Sequence, residues 1–552
     1  MNGRLEIKKV YYKRISFKEF KKIIKRIRCN NKYTYEQILV SILHSKNSNT
    51  FKFNPNAIGK SICVYTLLEE LKSIQKNNIN INWSEYNSIK DVNLNKLLSS
   101  AFSIIEKGEY KSKDEAYLEL IRFMNINILY QTEIGYKIIN TLVLTGLYEF
   151  NKIEKDDSYL NNLFLERYNI NAIDYYKLLF IILSFSMNNE INCFDFNSFK
   201  NLKININSIK NVLKELSVDE NKMLKPMNGK KYNAFKVFDK YPLICLNGKE
   251  FIPIDSIFLI IQLSSKFIMK TLLLARAKDK KPETNINTFI GKRLELYLKE
   301  LCNLKNEIKH YDEYNFSKKE ENLSSDRIII ETFENQKYIT LIQLKSKTFN
   351  EDSIFGYSFE SIENDLEKSY IDCIFKSLNF LYSLENLKNS NKLNDNYKVI
   401  SEEILEAKNY CFIGITYDLI PIFLIDKVRK CLMEKVELKI KNKNEKFLCW
   451  YKNKFSNGIL WHIMDLTEFQ TFLSIEKKIC FFNEISEYII ESNIDKIPLS
   501  KVNDSLPHTF RSYLINKHGN KNKSNEPKLE LLSEIENVFF KFTNEVKACL
   551  NE

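Results

Sequence analysis

Apolar positions recur at helical spacing through most of the first 235 residues. In SFKEFKKIIKRI, Phe20, Ile23, Ile24 and Ile27 share one face behind a Ser16–Glu19 capping box, and the cations fall mostly on the other face. Related patterns at NAIGKSICVYTLLEELKSI, KDEAYLELIRFM, GYKIINTLVLTGLYEF and IDYYKLLFIILSFSM, separated by Asn- and Asp-rich breaks, predict a large all-helical domain over residues 1–235 without an internal repeat. Near residue 236 the texture changes to short extended runs such as KYPLICLNGKEFIPID, where Asn247-Gly248 is a hairpin signal, and a second domain is expected to begin there. Helical patterns follow at SIFLIIQLSSKFIMKTLLLARA and TFIGKRLELYLKELC. Then come two short apolar runs, RIII and YITLIQLK, around a turn-like ENQK, a helix over SFESIENDLEKSYIDCIFKSLNFLYSL, and YCFIGITYD, apolar on both faces like a central strand. The order is helix, strand, strand, helix, strand, which predicts an α/β domain over 236–425. Residues 426–552 read as a C-terminal α/β extension with strands at EKFLCWYK and GILWHIMD, either completing the preceding sheet or forming a third domain, and GNKNKSNEPK reads as a solvated loop.

At 552 residues the chain exceeds what one core usually fills, so two or three domains are expected. Its 11 cysteines are scattered without a CxxC pair, which argues for reduced thiols and against a disulfide framework or a zinc site. With 5 histidines, any metal chemistry rests on oxygen ligands. No apolar core follows the charged N-terminus, and the longest apolar stretches are interrupted by Asp255, Gln262 and Asp418, so the expectation is a cytoplasmic protein with no membrane span. Richness in Asn, Lys and Ile reads as the codon bias of an AT-rich bacterial genome.

The net charge of +13 is concentrated, because residues 1–60 carry 15 Lys/Arg against 3 Asp/Glu, or +12. Lys21, Lys22, Lys25, Arg26 and Arg28 fall within one predicted helix. They form either a phosphate-binding face that displaces counterions from nucleic acid or a solvated helix face, and both readings stay open at this level. AIGKS at 57–61 is not a phosphate loop, since Asn54 stands where that loop needs its first glycine.

The informative chemistry lies in SSDRIIIETFENQKYITLIQLK. Side chains alternate along a strand, so Gln343, Lys345 and Lys347 share one face. If the two runs pair as a hairpin, Asp326 at the start of the first lies close to Gln343 and Lys345 at the end of the second. Alone, Asp326 could be a polar strand-start residue, Gln343 a polar group on a half-exposed strand, Lys345 and Lys347 solubilisers of a strand end, and Glu295 an ion-pair partner of Lys299. In this order, with these elements between them, residues 236–425 resemble the PD-(D/E)XK superfamily, the restriction-endonuclease-like fold. GKRLELYLKEL resembles the family helix, placing Glu295 a turn after Gly291; SSDRIII resembles the strand opened by the metal-binding aspartate, Asp326; ITLIQLKSK resembles the strand ending in acidic-x-Lys, with Gln343 at the acidic position. The glutamine departs from the commonest pattern and matches the QxK variant of Mrr-like branches.

The resemblance implies a mixed sheet flanked by helices and a metal-dependent nuclease. Mg²⁺ or Mn²⁺ would be held by Asp326, Glu295 and the Gln343 side-chain oxygen, and Lys345 would orient or deprotonate the attacking water or steady the phosphate. The implied substrate is nucleic acid, DNA ahead of RNA. A homodimer, or a partner protein bound by the helical domain, is a further implication, since cutting two strands takes two sites. Bacterial chains that join such a nuclease to a large helical module resemble phage-defence effectors. The rival readings are a nucleic-acid-binding or scaffold protein that keeps the fold without the chemistry, and an RNase toxin. Lys368 and Tyr370 fall on the next helix, where the family often flanks its site, while His310 and His462 read as structural.

Overall fold

The computed structural model describes residues 17–31, 34–43, 63–68, 70–71, 134–187, 193–218, 233–245, 248–278, 282–305, 308–318, 322–346, 349, 353, 359–417, 426–475, 480–492, 509–518 and 530–551. The chain divides into two units: Met1–Ser112, Asp157–Leu274 and Phe540–Glu552 form the first, and Lys113–Asp156 with Ala275–Phe539 form the second. Both helices and mixed sheets are present, so the class is α/β.

In the first unit α1 (Phe17–Asn31) buries Phe20 and Ile24, the residues the helical pattern put on its apolar face. The core is built around α2 (Ala172–Met187) and α3 (Ser256–Leu263), with the Tyr176 hydroxyl donating to the Leu263 carbonyl at 2.7 Å. The unit is not all helical. A small sheet joins β1 (Ser217–Val218), β2 (Leu243–Ile244) and β3 (Ile252–Pro253), with β2 and β3 antiparallel across the turn at Gly248, whose φ is +71°. Because that hairpin pairs with β1 and α3 packs on α2, residues 236–274 fold with the first unit, and the division falls at Leu274 rather than near 236. Among the described residues no single helix is long and apolar enough to cross a membrane. Two bent helix pairs reach that apolarity only together, and their side chains line this core.

The second unit is organised by a five-stranded sheet in the order β4 (Lys309–Asp312), β5 (Arg327–Phe333), β6 (Gln336–Lys345), β7 (Asn409–Thr416), β8 (Leu460–Asp465). β4, β5 and β6 form an antiparallel meander, while β7 and β8 add parallel to β6. The β5–β6 turn places Glu334 and Asn335 at φ +49° and +62°, the left-handed pair that matches a two-residue turn to the twist of its strands. β8 lies beyond 426, so the C-terminal extension completes this sheet. EKFLCWYK, expected as a strand, is helical (Glu445–Lys454). Asn444 caps it by accepting the Lys446 N–H at 2.8 Å, and Phe447 and Tyr451, one turn apart, are buried.

Helices cover both faces of the sheet. On one face α5 (Asp372–Asn389) and α6 (Asp426–Lys443) pack, with the Arg429 guanidinium 4.1 Å from the Trp461 ring centre. His462, the next residue of β8, points the other way, its ring 5.3 Å from Tyr488 of the Phe481–Glu491 helix. α4 (Pro282–Asn303) buries Ile290, Leu294, Tyr297, Leu298 and Leu301 along one stripe. A closed polar network fixes it. The Tyr297 hydroxyl donates to Asn140 Oδ1 at 3.1 Å, and the Asn140 and Gln470 amides bond each other reciprocally at 3.1 and 2.9 Å. Gln470 Nε2 also reaches the Tyr297 oxygen at 2.9 Å, and all three side chains are buried. Gln470→Ala, which leaves the Tyr297–Asn140 bond but strands the buried Asn140 Nδ2, is expected to cost about 1–3 kcal/mol in a denaturant titration. Gln470→Glu should cost at least as much, because it buries a charge and removes the amide donor that Asn140 and Tyr297 accept.

Candidate functional site

Asp326 immediately precedes β5, and the register Arg327↔Ile342 sets it opposite Gln343. Opposed residues of an antiparallel pair share a face, so Asp326, Gln343 and, two positions on, Lys345 lie together at the end of β6. Asp326 Oδ2 accepts the backbone N–H of Leu344 at 2.5 Å, which pins the carboxylate across the strand end. Gln343 is 3 % exposed, and its amide has no hydrogen bond to a described residue. Lys345 closes the strand beside Thr416 of β7 and is half-buried.

Glu295 arrives on α4. One turn before it, a Cβ on Gly291 would stand 3.5 Å from Ser346 Oγ, so the helix runs beside the residue that follows Lys345. Although Glu295 reaches solvent, its carboxyl is held above the ordinary value, first by desolvation and then by the negative charge of Asp326, against the lowering pull of Lys292 and Arg327. Burial also raises the Asp326 carboxyl, and the Leu344 N–H, Lys376, Lys345 and Arg327 only partly offset it. Both carboxyls are thus raised; Asp326 shares the strand end with the buried Gln343 amide and Lys345 and also feels Lys376, while its own charge raises Glu295.

Lys376 is the neighbour that the sequence reading did not single out. It lies on α5 one turn beyond Cys373, which packs over β7 where Gly414 pairs with Gln343. A Cβ at Gly414 would come 3.3 Å from Cys373 Sγ and 2.5 Å from Ile463 Cδ1, so a glycine lets α5 approach the sheet beside the site. A π-turn at Glu367–Ile371, a feature frequent beside functional sites, leads into α5. Lys368 in that turn is exposed, whereas Tyr370 is buried edge-on to Phe349 at 6.0 Å.

A second charged row lies on the β4 side. Arg327, 3 % exposed, pairs with Asp312, which also receives Lys299 at 2.6 Å, and Arg327 Nη1 is 3.3 Å from His310 Nδ1. Burial raises the Asp312 carboxyl, but the Lys299 hydrogen bond and the Arg327 charge leave it below the ordinary value. Burial and Arg327 hold the His310 imidazole down. Lys299 is therefore engaged with Asp312. His462 is a core residue between Tyr488 and Phe510. Lys347 falls outside the described residues. Of the N-terminal cations, Lys21 and Lys25 pair with Glu70 at 3.1 and 3.7 Å and Arg28 lies over the Tyr35 ring at 4.7 Å, while Lys22 and Arg26 are exposed. Part of that face therefore serves packing within the first unit.

Among the described residues no group of three or more His, Cys, Asp and Glu side chains is arranged to hold a metal ion. The site offers two carboxylates and an amide oxygen, a hard-oxygen set that suits Mg²⁺ or Mn²⁺ with several retained waters. The buried, unbonded amide of Gln343 fits a ligand role. Comparison of the chain with family models, with curated proteins and with solved structures finds no match.

The raised carboxyls fix a sign. Protons held by Asp326 and Glu295 stabilise the metal-free fold fully below the ordinary carboxylate value, and that contribution is lost as pH rises through the raised folded values. Asp326→Asn should therefore match or exceed the wild type in melting temperature at pH 7 without metal, with the difference shrinking on acidification. Calorimetry with Mn²⁺ should raise the melting temperature of the wild type and not of the variant.

Proposed function

We propose that this chain is a metal-dependent nuclease of the PD-(D/E)XK type, acting on DNA ahead of RNA. One observation carries the reading: Asp326, Gln343 and Lys345 meet on one face of a strand end, with Glu295 close enough for the Asp326 charge to raise its carboxyl. The order of elements supports it. A helix bearing the glutamate, an antiparallel three-strand meander, a crossover helix and a parallel strand follow one another as the restriction-endonuclease-like fold requires.

A bound divalent ion would neutralise phosphate charge and make its water more acidic. The protein's own groups have separate tasks. The Leu344 N–H fixes which way the Asp326 carboxylate faces, so the strand pairing sets the position of the ligand oxygen. Gln343 offers an oxygen without charge from a position where a carboxylate would have to be buried. Lys345, on the same face, orients or deprotonates the attacking water and opposes the charge that develops on the phosphate. A protein that binds nucleic acid without cutting is the second reading, and the neutral Gln343 favours it, because the site then holds two carboxylates where a cleaving member usually holds three.

Purified protein incubated with plasmid DNA or single-stranded RNA and Mg²⁺ or Mn²⁺ is expected to cleave DNA, to stop with EDTA, and to lose roughly 10²–10⁴-fold in rate on Lys345→Ala. Retained binding with no cleavage by the wild type would select the second reading.

A further inference from the structure

Resting on that reading, we propose that Lys376 is a second cationic contact of the same site and binds a substrate phosphate from the crossover helix, opposite Lys345 on the strand. The placement follows from packing. Register sets Gly414 of β7 beside Gln343, and Cys373 fills the space above Gly414, so this turn of α5 is held at the level of the candidate metal ligands. Lys376 projects one turn further along α5, on the flank of its buried stripe of Cys373, Ser377, Phe380 and Leu384.

α5 packs on β6 and β7, the strands that carry Gln343, Lys345 and Gly414, and Lys376 is close enough to Asp326 for its charge to act on that carboxyl. The lysine is exposed, and among the described residues it has no ion pair and no hydrogen bond. Cations that reach α5 from its neighbours are already engaged: Lys439 and Lys443 of α6 with Asp372 and with Asn379 at 2.7 Å, and Lys454 of the Glu445–Lys454 helix with Glu385 at 3.0 Å. Lys376 is set apart from them by its electrostatic influence on Asp326, which precedes that of Lys345.

An ammonium close to the Asp326 carboxylate is suited to an anion that arrives with a cation, and a phosphodiester bound through a divalent ion is such an anion. With Lys345 on one side and Lys376 on the other, a backbone phosphate would be gripped from strand and helix at once. The contact reads charge and not sequence, so it should act equally on any base composition.

The test separates this contact from the nuclease reading itself. Binding of a fluorescent DNA duplex in Ca²⁺ is measured against salt for the wild type, Lys376→Ala, Lys376→Arg and Lys388→Ala, the last at the far end of the same helix. Cleavage in Mg²⁺ is followed in parallel, with Lys345→Ala as the inactive reference. Lys376→Ala should bind roughly ten-fold more weakly and lower the salt slope by about one, while Lys376→Arg restores both and Lys388→Ala changes neither. If Lys376→Ala keeps wild-type affinity, slope and rate while Lys345→Ala is inactive, the proposal falls and the nuclease reading stands. If the wild type neither binds nor cuts, both fall.

Discussion

The register of one hairpin governs the candidate site. In β6 the central residues Ile339, Thr340, Leu341 and Ile342 are all buried, so both faces of the strand are covered and burial alone would tolerate a slip by one residue. Such a slip would send Gln343 and Lys345 to the opposite face from Asp326. Two features far apart along the ladder prevent it. The left-handed Glu334–Asn335 pair admits a two-residue turn and closes the hairpin at Phe333↔Gln336. At the open end the Asp326 carboxylate takes the Leu344 N–H. That carboxylate thus has a structural task that is satisfied whether or not a cation is present. Its second oxygen is the one a ligand would use.

What converges on the strand end comes from both faces of the sheet, and each contribution is held from a distance. Glu295 depends on the height and rotation of α4, which the Tyr297–Asn140–Gln470 network fixes using side chains from three separate segments. The Ile134–Leu144 helix belongs to the second unit for this reason, although it lies far ahead of the rest of that unit in sequence. Arg293 repeats the tie, donating from Nε to the Val143 carbonyl at 2.7 Å. On the other face Gly414 sets how close α5 comes. A polar network and a missing side chain, neither part of the candidate chemistry, therefore decide whether the charged groups meet.

This division explains which parts the sequence discloses. The strand pair, its turn and the Asp326–Gln343–Lys345 set are encoded within about twenty consecutive residues and obey a period of two, so they can be read directly. Glu295 enters only through the resemblance of GKRLELYLKEL to the family helix, since nothing in its own spacing marks it out. Lys376 was not legible, because its relation to Asp326 arises from the crossover of α5 and from the register of a strand that follows it. EKFLCWYK misled because apolar residues crowd a short run that fits either period, and the deciding signal was the Asn444 cap just outside it. The division near Leu274 was equally hidden, since the two-residue strands that tie 243–253 to the first unit carry no periodicity of their own.

The charge balance bears on what a glutamine does at position 343. At 3 % exposure, a glutamate at 343 would place a third carboxylate against two that are already raised, in the most enclosed part of the site. With no metal ion bound, that charge would have only side-chain cations such as Lys345 and Lys376 to offset it, and a proton would compete for it. Glutamine removes the conflict while keeping an oxygen in the same place. On the nuclease reading the consequence is a site that folds readily without metal and holds the ion less tightly, so that the substrate phosphate completes the set of charged ligands. Binding of the ion and of nucleic acid would then reinforce each other, because each supplies the charge that the other lacks.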